Sequence, residues 1–201
     1  MSKVCVLFAD GFEEIEAISI VDILRRAEVN VTIAGVDGTR AKGAHGVVVE
    51  ADASLADAST ESWDMVVLPG GLPGATNLRD HADVQAFLKS QSSSGGRLAA
   101  ICAAPIALGA AGILEGKRAT SYPGFEGELT GANCVEDRVV VDGNVITSRG
   151  PGTSIEFALT LVQELQGAEV ASALREGMLV ACLLYTSDAA DEGLGVDLGG
   201  R

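Results

Sequence analysis

The stretch Leu98-Ala99-Ala100-Ile101-Cys102-Ala103-Ala104-Pro105 has the residue types needed to make one side chain reactive. An apolar run ends at Cys102, two small residues follow, and Pro105 suits a first helical turn, where its missing N–H costs little. This is the order of a nucleophile elbow, although the Gly-x-Ser-x-Gly lettering is absent. Helix amides aimed at the sulfur would favour thiolate and lower the thiol pKa from about 8.5. The competing reading is a buried cysteine acting as a small hydrophobe; the strand, the small residues and the proline around Cys102 favour the elbow.

Two further segments carry chemistry-bearing groups. In Asp10-Gly11-Phe12-Glu13-Glu14-Ile15-Glu16, the charges of Glu13 and Glu14 suit a helix N-terminus. Glu16, set among Ile15, Ala17 and Ile18, turns inward on this reading. A buried carboxyl group keeps its proton to higher pH and can act as an acid or base beside a thiol. In Val66-Val67-Leu68-Pro69-Gly70-Gly71, glycines directly after a buried run let backbone amides approach a ligand and stabilise an oxyanion. A Gly-Gly pair alone is more often a tight turn, and it gains meaning here from its place beside the elbow.

The elements that must hold these residues follow from periodicity. Apolar, β-branched runs recur at Val4–Ala9, Val29–Ala34, Met65–Leu68 and Leu98–Ile101, with helical patterns between several of them. The alternation predicts an α/β fold, a parallel sheet with helices on both faces. Ile15, Ile18, Val21, Ile23, Leu24 and Ala27 define the inner face of a first helix. Between Gly35 and Ala51 a Gly-rich loop leads to a short strand at Val47–Val49. Asp142-Gly143 between two β-branched runs predicts a hairpin. Thr153-Ser154-Ile155-Glu156 reads as a capping box opening a helix over Ser154–Leu165 that stops at Gly167, and Glu169–Val180 reads as the next helix.

With 201 residues and 47% hydrophobic composition, the chain can bury one full core. The expected domain is 1–180. Residues 181–201 have no periodic apolar face, and Cys182-Leu183-Leu184-Tyr185-Thr186-Ser187-Asp188 resembles a translated adapter scar, so this segment reads as a non-native or disordered tail. A formal charge of −14 disfavours nucleic acid and anionic lipid as partners; small uncharged or carbonyl-bearing molecules remain open as ligands. Four cysteines without a CxxC spacing and no secretory leader point to a reducing, cytoplasmic setting, and no apolar stretch is long enough for a bilayer span. Two histidines without a Cys/His cluster make no case for a metal site. Cys5 and Cys134 are assigned to packing or a surface loop.

Taken together and in order, Gly11-Phe12-Glu13-Glu14-Ile15-Glu16, Leu68-Pro69-Gly70-Gly71, Ala100-Ile101-Cys102-Ala103 and Thr147-Ser148-Arg149-Gly150-Pro151-Gly152-Thr153 resemble the DJ-1 branch of the DJ-1/PfpI superfamily. The resemblance implies that Cys102 is the reactive cysteine, that Glu16 hydrogen-bonds it, and that Gly70, Gly71 and Ala103 supply backbone amides. It also implies a flavodoxin-like fold, a doubly wound and mostly parallel α/β sheet with helices on both faces, together with a homodimer, no cofactor, and a partner-subunit contribution from Arg26 and His45. His45 fits an ordinary loop histidine better than it fits that role. The activity implied is that of a cysteine-dependent glyoxalase or protein deglycase acting on methylglyoxal-type α-oxoaldehydes or early glycation adducts, in oxidative and carbonyl stress. The alternative is a redox sensor or chaperone switched by oxidation of Cys102. Two departures stand out. Tyr122 occupies the place where some members have a histidine before Pro123, and Ala103 follows the cysteine where the protease-like branch has histidine. Arg149 and the Gly150-Pro151-Gly152 turn are expected to brace the helix that follows.

Overall fold

A computed structural model describes residues 1–180; the expectations for 181–201 lie outside the described residues. The first β-branched run forms β1 (Lys3–Phe8), and the first amphipathic segment forms α1 (Glu14–Arg26). Then come β2 (Asn30–Gly35), β3 (Arg40–Lys42), β4 (Val48–Glu50), β5 (Ala53–Ser54), α2 (Leu55–Ala58) and β6 (Met65–Leu68). The second half runs α3 (Gly74–Asp80), α4 (Ala82–Ser93), β7 (Arg97–Ile101), α5 (Pro105–Ala110), β8 (Arg118–Ala119), β9 (Asn133–Cys134), β10 (Val139–Asp142), β11 (Val145–Ser148), α6 (Ser154–Gln166) and α7 (Ala168–Gly177).

Seven strands make one sheet in the order β10-β11-β7-β6-β1-β2-β5, parallel except for the β10–β11 hairpin. Its inner strands read as unbroken apolar runs because both faces are covered. One face packs on α3, α4 and α5 through Leu7, Leu68, Leu78, Leu88 and Leu108; the other packs on α1 and α6 through Val6, Ile20, Leu24, Phe157 and Leu161. From β1 the chain passes to β2 on one side and later to β6 on the other. The resulting crevice lies at the C-terminal ends of β1 and β6, where doubly wound sheets bind ligands.

Several local expectations are revised. Ile15 and Ile18 are 59% and 43% exposed, so the inner face of α1 is Glu16, Ala17, Ile20, Val21, Ile23 and Leu24. No capping box forms at Thr153, because its hydroxyl turns back to the Gly150 carbonyl and amide while Glu156 pairs with Arg138. Arg138, rather than Arg149, therefore braces α6; the Arg149 guanidinium reaches the Glu136 carbonyl. In the β10–β11 hairpin the two linking residues are Gly143-Asn144, with Asp142 already paired to Val145. The Gly-rich segment is itself a hairpin, β3 against β4. Cys5 is fully buried in the core, and Cys134 is exposed.

Candidate functional site

Cys102 follows the last residue of β7 and takes a left-handed backbone, φ +64°. An L side chain there costs about 1–2 kcal/mol, so the surroundings must hold it. Its N–H donates to Ser148 O at 2.9 Å, and its carbonyl accepts from Tyr122 N–H at 2.8 Å. Pro105 then opens α5, buried at the first helical position. The strand, strained cysteine and proline-started helix together form the turn read from the residue order.

Glu16 lies in the first turn of α1 and is fully buried. Gly70 N–H donates to its Oε2 at 2.7 Å. The Cys102 thiol lies beside the same carboxyl group, near enough to feel its charge, while Oε1 makes no well-aligned hydrogen bond. A side chain at position 70 would place Cβ 2.6 Å from Cys102 Cβ and 2.8 Å from Glu16 Oε2. Only glycine permits that approach.

The amides divide their work differently from expectation. Gly70 N–H is committed to Glu16, while the Gly71 and Ala103 amides sit near the Cys102 sulfur and act to lower its pKa. Gly71, at φ +90°, has the left-handed conformation that favours glycine.

Burial pushes the Glu16 carboxyl up to about 7, helped by the charge of Glu13 and opposed by the Gly70 and Cys102 hydrogen bonds. The Cys102 thiol is pushed up to about 12, first by burial and then by the negative charge of Glu16, against the Gly71 and Ala103 amides. Thiolate formation is therefore not favoured by the amides alone, contrary to the expectation from sequence. The rise of Glu16 is the direction that matters. A carboxyl neutral near pH 7 removes the charge opposing the thiolate and offers an O–H to the sulfur, so the two groups titrate as one unit.

Glu16, Gly70, Gly71, Cys102 and Ala103 thus meet at one point, whereas Arg26 and His45 of the same chain do not join them. Arg26 sits ten residues after Glu16, about 15 Å along the helix, and pairs with Asp22. His45, on the β3–β4 connection, bonds Glu14 through its ring and its main-chain N–H at 2.8 and 2.7 Å. Glu13, Glu14 and His45 offer ligand-type atoms within 4.8 Å of one another, a grouping invisible in sequence because 31 residues separate Glu14 from His45. The hydrogen bonds give it a plain structural role, fastening the hairpin to the start of α1. Sequence reading also missed the hydroxyl pair below the elbow, Ser148 Oγ and Thr153 Oγ1, 2.7 Å apart and buried.

A doubly wound sheet with a strained cysteine at the end of a central strand and a buried acid from the first helix defines a class of thiol-bearing α/β proteins. Residues 2–164 match the DJ-1/PfpI family, and the chain belongs to that family. Its relatives lie in the DJ-1 branch. It is 45% identical to Drosophila melanogaster DJ-1beta in its crystal structure, at a TM-score of 0.87, covering 90% of this chain and 100% of that one. Toxoplasma gondii DJ-1, solved as oxidized, is 40% identical with a TM-score of 0.87, over 90% of this chain and 100% of that one. A Caenorhabditis elegans protein named glutathione-independent glyoxalase is 36% identical over 90% of this chain and 97% of its own length.

Proposed function

We propose that this protein is a cofactor-free, cysteine-dependent glyoxalase that converts methylglyoxal-type α-oxoaldehydes to hydroxy acids. The observation that carries the reading is the fully buried Glu16 carboxyl, raised to about 7 and set beside the strained Cys102. Cys102 sulfur adds to the aldehyde carbon, its S–H proton having passed to Glu16. The C=O π pair moves to oxygen, which takes the proton back from Glu16 to give a hemithioacetal. The C1 hydrogen then leaves as a proton to Glu16 and returns at C2, while the C1 hydroxyl proton passes to the C2 oxygen, which makes a thioester of the 2-hydroxy acid. Water cleaves that thioester, releasing the acid and restoring the thiol. The Gly71 and Ala103 amides, which face the sulfur, are the donors nearest the developing oxyanion. Early glycation adducts of proteins, which present the same carbonyl chemistry, are the deglycase extension of this reading.

The remaining assignments rest on the surface. Ile15 and Ile18 on α1, with Val47 and Val48 on the hairpin fastened to it, leave apolar side chains uncovered, which supports a homodimer through this face. Arg26 and His45 would then serve the partner's site rather than their own. No helix among the described residues is long and apolar enough to cross a membrane, and the described cysteines are free thiols, which supports a reducing, cytoplasmic setting.

The test is lactate formation from methylglyoxal by metal-free full-length protein, run beside Cys102→Ala and Glu16→Ala. Lactate from the parent and its loss in either variant is the expected result. No lactate from the parent would overturn the glyoxalase reading and favour the second one, a sensor in which Cys102 is oxidised to sulfenic or sulfinic acid beside Glu16. The oxidized state of the Toxoplasma gondii relative is what favours that second reading.

A further inference from the structure

On the β11 side of the elbow, Tyr122, Pro123, Arg138, Arg149 and the Gly150–Thr153 turn line a shallow, open cleft of about 230 Å³. Its walls hang from the reactive cysteine. Tyr122 N–H donates to Cys102 O at 2.8 Å, and Cys102 N–H donates to Ser148 O, one residue before Arg149, at 2.9 Å. The cleft therefore opens at the same strand ends as the thiol, across β7 from Glu16.

The polar groups lining it are under-used. The Tyr122 ring rests on Gly150, where a Cβ would come 3.1 Å from Cδ2; it is 47% exposed, and its hydroxyl makes no hydrogen bond to the described residues. Arg138 is neutralised by Glu156 at 2.7 Å and donates to Gly152 O at 3.0 Å. Arg149 is different. Its side chain is only 22% exposed, its one hydrogen bond goes to the Glu136 carbonyl at 3.0 Å, and the nearest carboxylate, that of the solvent-exposed Glu136, is 4.0 Å away. The guanidinium is largely covered, yet its free N–H groups stay open to the cleft they line, where an oxyanion can accept from them. In a chain of net charge −14, no carboxylate among the described residues comes closer to Arg149 than 4.0 Å.

We propose that this cleft is an anion subsite, in which Arg149 and the Tyr122 hydroxyl hold a phosphate or carboxylate group at the end of the substrate remote from the aldehyde that meets Cys102. The substrate assignment rests on the thiol–aldehyde chemistry proposed above. It makes the preferred substrate an α-oxoaldehyde bearing an anionic group, with methylglyoxal, which has only a methyl there, a minimal surrogate. Guanidinium and phenol donors suit such oxyanions because charge-assisted hydrogen bonds are the strong ones.

The subsite is tested separately from the chemistry by calorimetric titration of the full-length protein with inorganic phosphate and, in a second arm, acetate. At least one of the two anions binds, and Arg149→Met weakens that binding about tenfold or more. Tyr122→Phe weakens it a few-fold without disturbing the fold, since that hydroxyl makes no hydrogen bond to a described residue. The variant therefore stands in if Arg149→Met fails to fold. The second readout is kcat/KM for the phosphate ester of hydroxypyruvaldehyde relative to methylglyoxal; the ratio exceeds one in the parent and falls about tenfold in Arg149→Met. No binding of either anion, or binding equally tight in both variants, overturns the subsite. Arg149-dependent anion binding with no turnover of either aldehyde would instead sink the glyoxalase reading and leave the subsite standing.

Discussion

Replacing Glu16 by Gln keeps the shape of the side chain and removes its titration, and the consequence for stability can be worked from the structure. The Glu16 carboxyl is displaced from 4.5 to about 7, chiefly by burial. Between those values the folded protein holds a proton that the unfolded chain has lost, so the native state binds more protons and stability falls as pH rises. The contribution is fully present below 4.5 and gone above about 7. At about 1.36 kcal/mol per pH unit the whole window is worth about 3 kcal/mol, and because Glu16 is fully buried no discount for solvent screening applies. Trp63, the single tryptophan, is a ready reporter: its ring is buried and Nε1 donates to Ala58 O at 2.8 Å. Urea unfolding of parent and Glu16→Gln, followed by Trp63 fluorescence at pH 4.5 and above pH 7, gives the difference. His45, whose pKa is raised by its Glu14 hydrogen bond and by the charges of Glu13 and Glu14, also loses stability as pH rises, but both proteins carry it and it cancels. The parent should lose about 3 kcal/mol relative to the variant across the window. Parallel curves would refute the reasoning, because Glu16 would then be ionised well below neutrality and unable to hold the proton the mechanism needs.

Gly70→Ala would push a methyl to 2.6 Å from Cys102 Cβ and 2.8 Å from Glu16 Oε2, contacts that force the pair apart. The expected cost is about 1–3 kcal/mol, with a slower reaction of Cys102 with methylglyoxal, and unchanged stability in urea would contradict it. At Cys102 itself, φ +64° penalises any Cβ, so Cys102→Gly should be more stable than Cys102→Ala by about 1 kcal/mol. Equal midpoints for the two variants would mean that the turn is not strained.

The fold was legible because its inner strands have no exposed face to disguise. Met65–Leu68 and Leu98–Ile101 are apolar throughout, as strands covered on both sides must be. The first helix was found by its period, but two of its apolar residues were placed on the wrong side. Ile15 and Ile18 sit where nothing among the described residues covers them, and periodicity cannot separate the core from a face kept for another molecule. The capping box failed for a local reason. Ser148 and Gly150 hold the Thr153 hydroxyl more closely than the helix amides do, a competition settled by tertiary contacts that no four-residue pattern contains. At the site, Glu16 and Cys102 could be picked out by type and place. The assignment of Gly70 to Glu16, and of Gly71 and Ala103 to the sulfur, could not, because it depends on how loops from three strands meet.

That meeting explains why the proton state of Cys102 cannot be read from the elbow alone. The amides of Gly71 and Ala103 favour a thiolate, while burial and an ionised Glu16 oppose it more strongly. An elbow without the acid would have only the first two influences, helix-end amides against burial. With the acid protonated, the sulfur gains a third donor and loses its nearest negative charge. On the proposed mechanism Glu16 governs when the thiol reacts, and Gly70 governs whether Glu16 can stay close enough to do so. The tight contact at position 70, the strained backbone at position 102 and the buried carboxyl at position 16 are each unfavourable by themselves. They are tolerated together because the two apolar layers on either side of β6 and β7 leave those strand ends no other place to go.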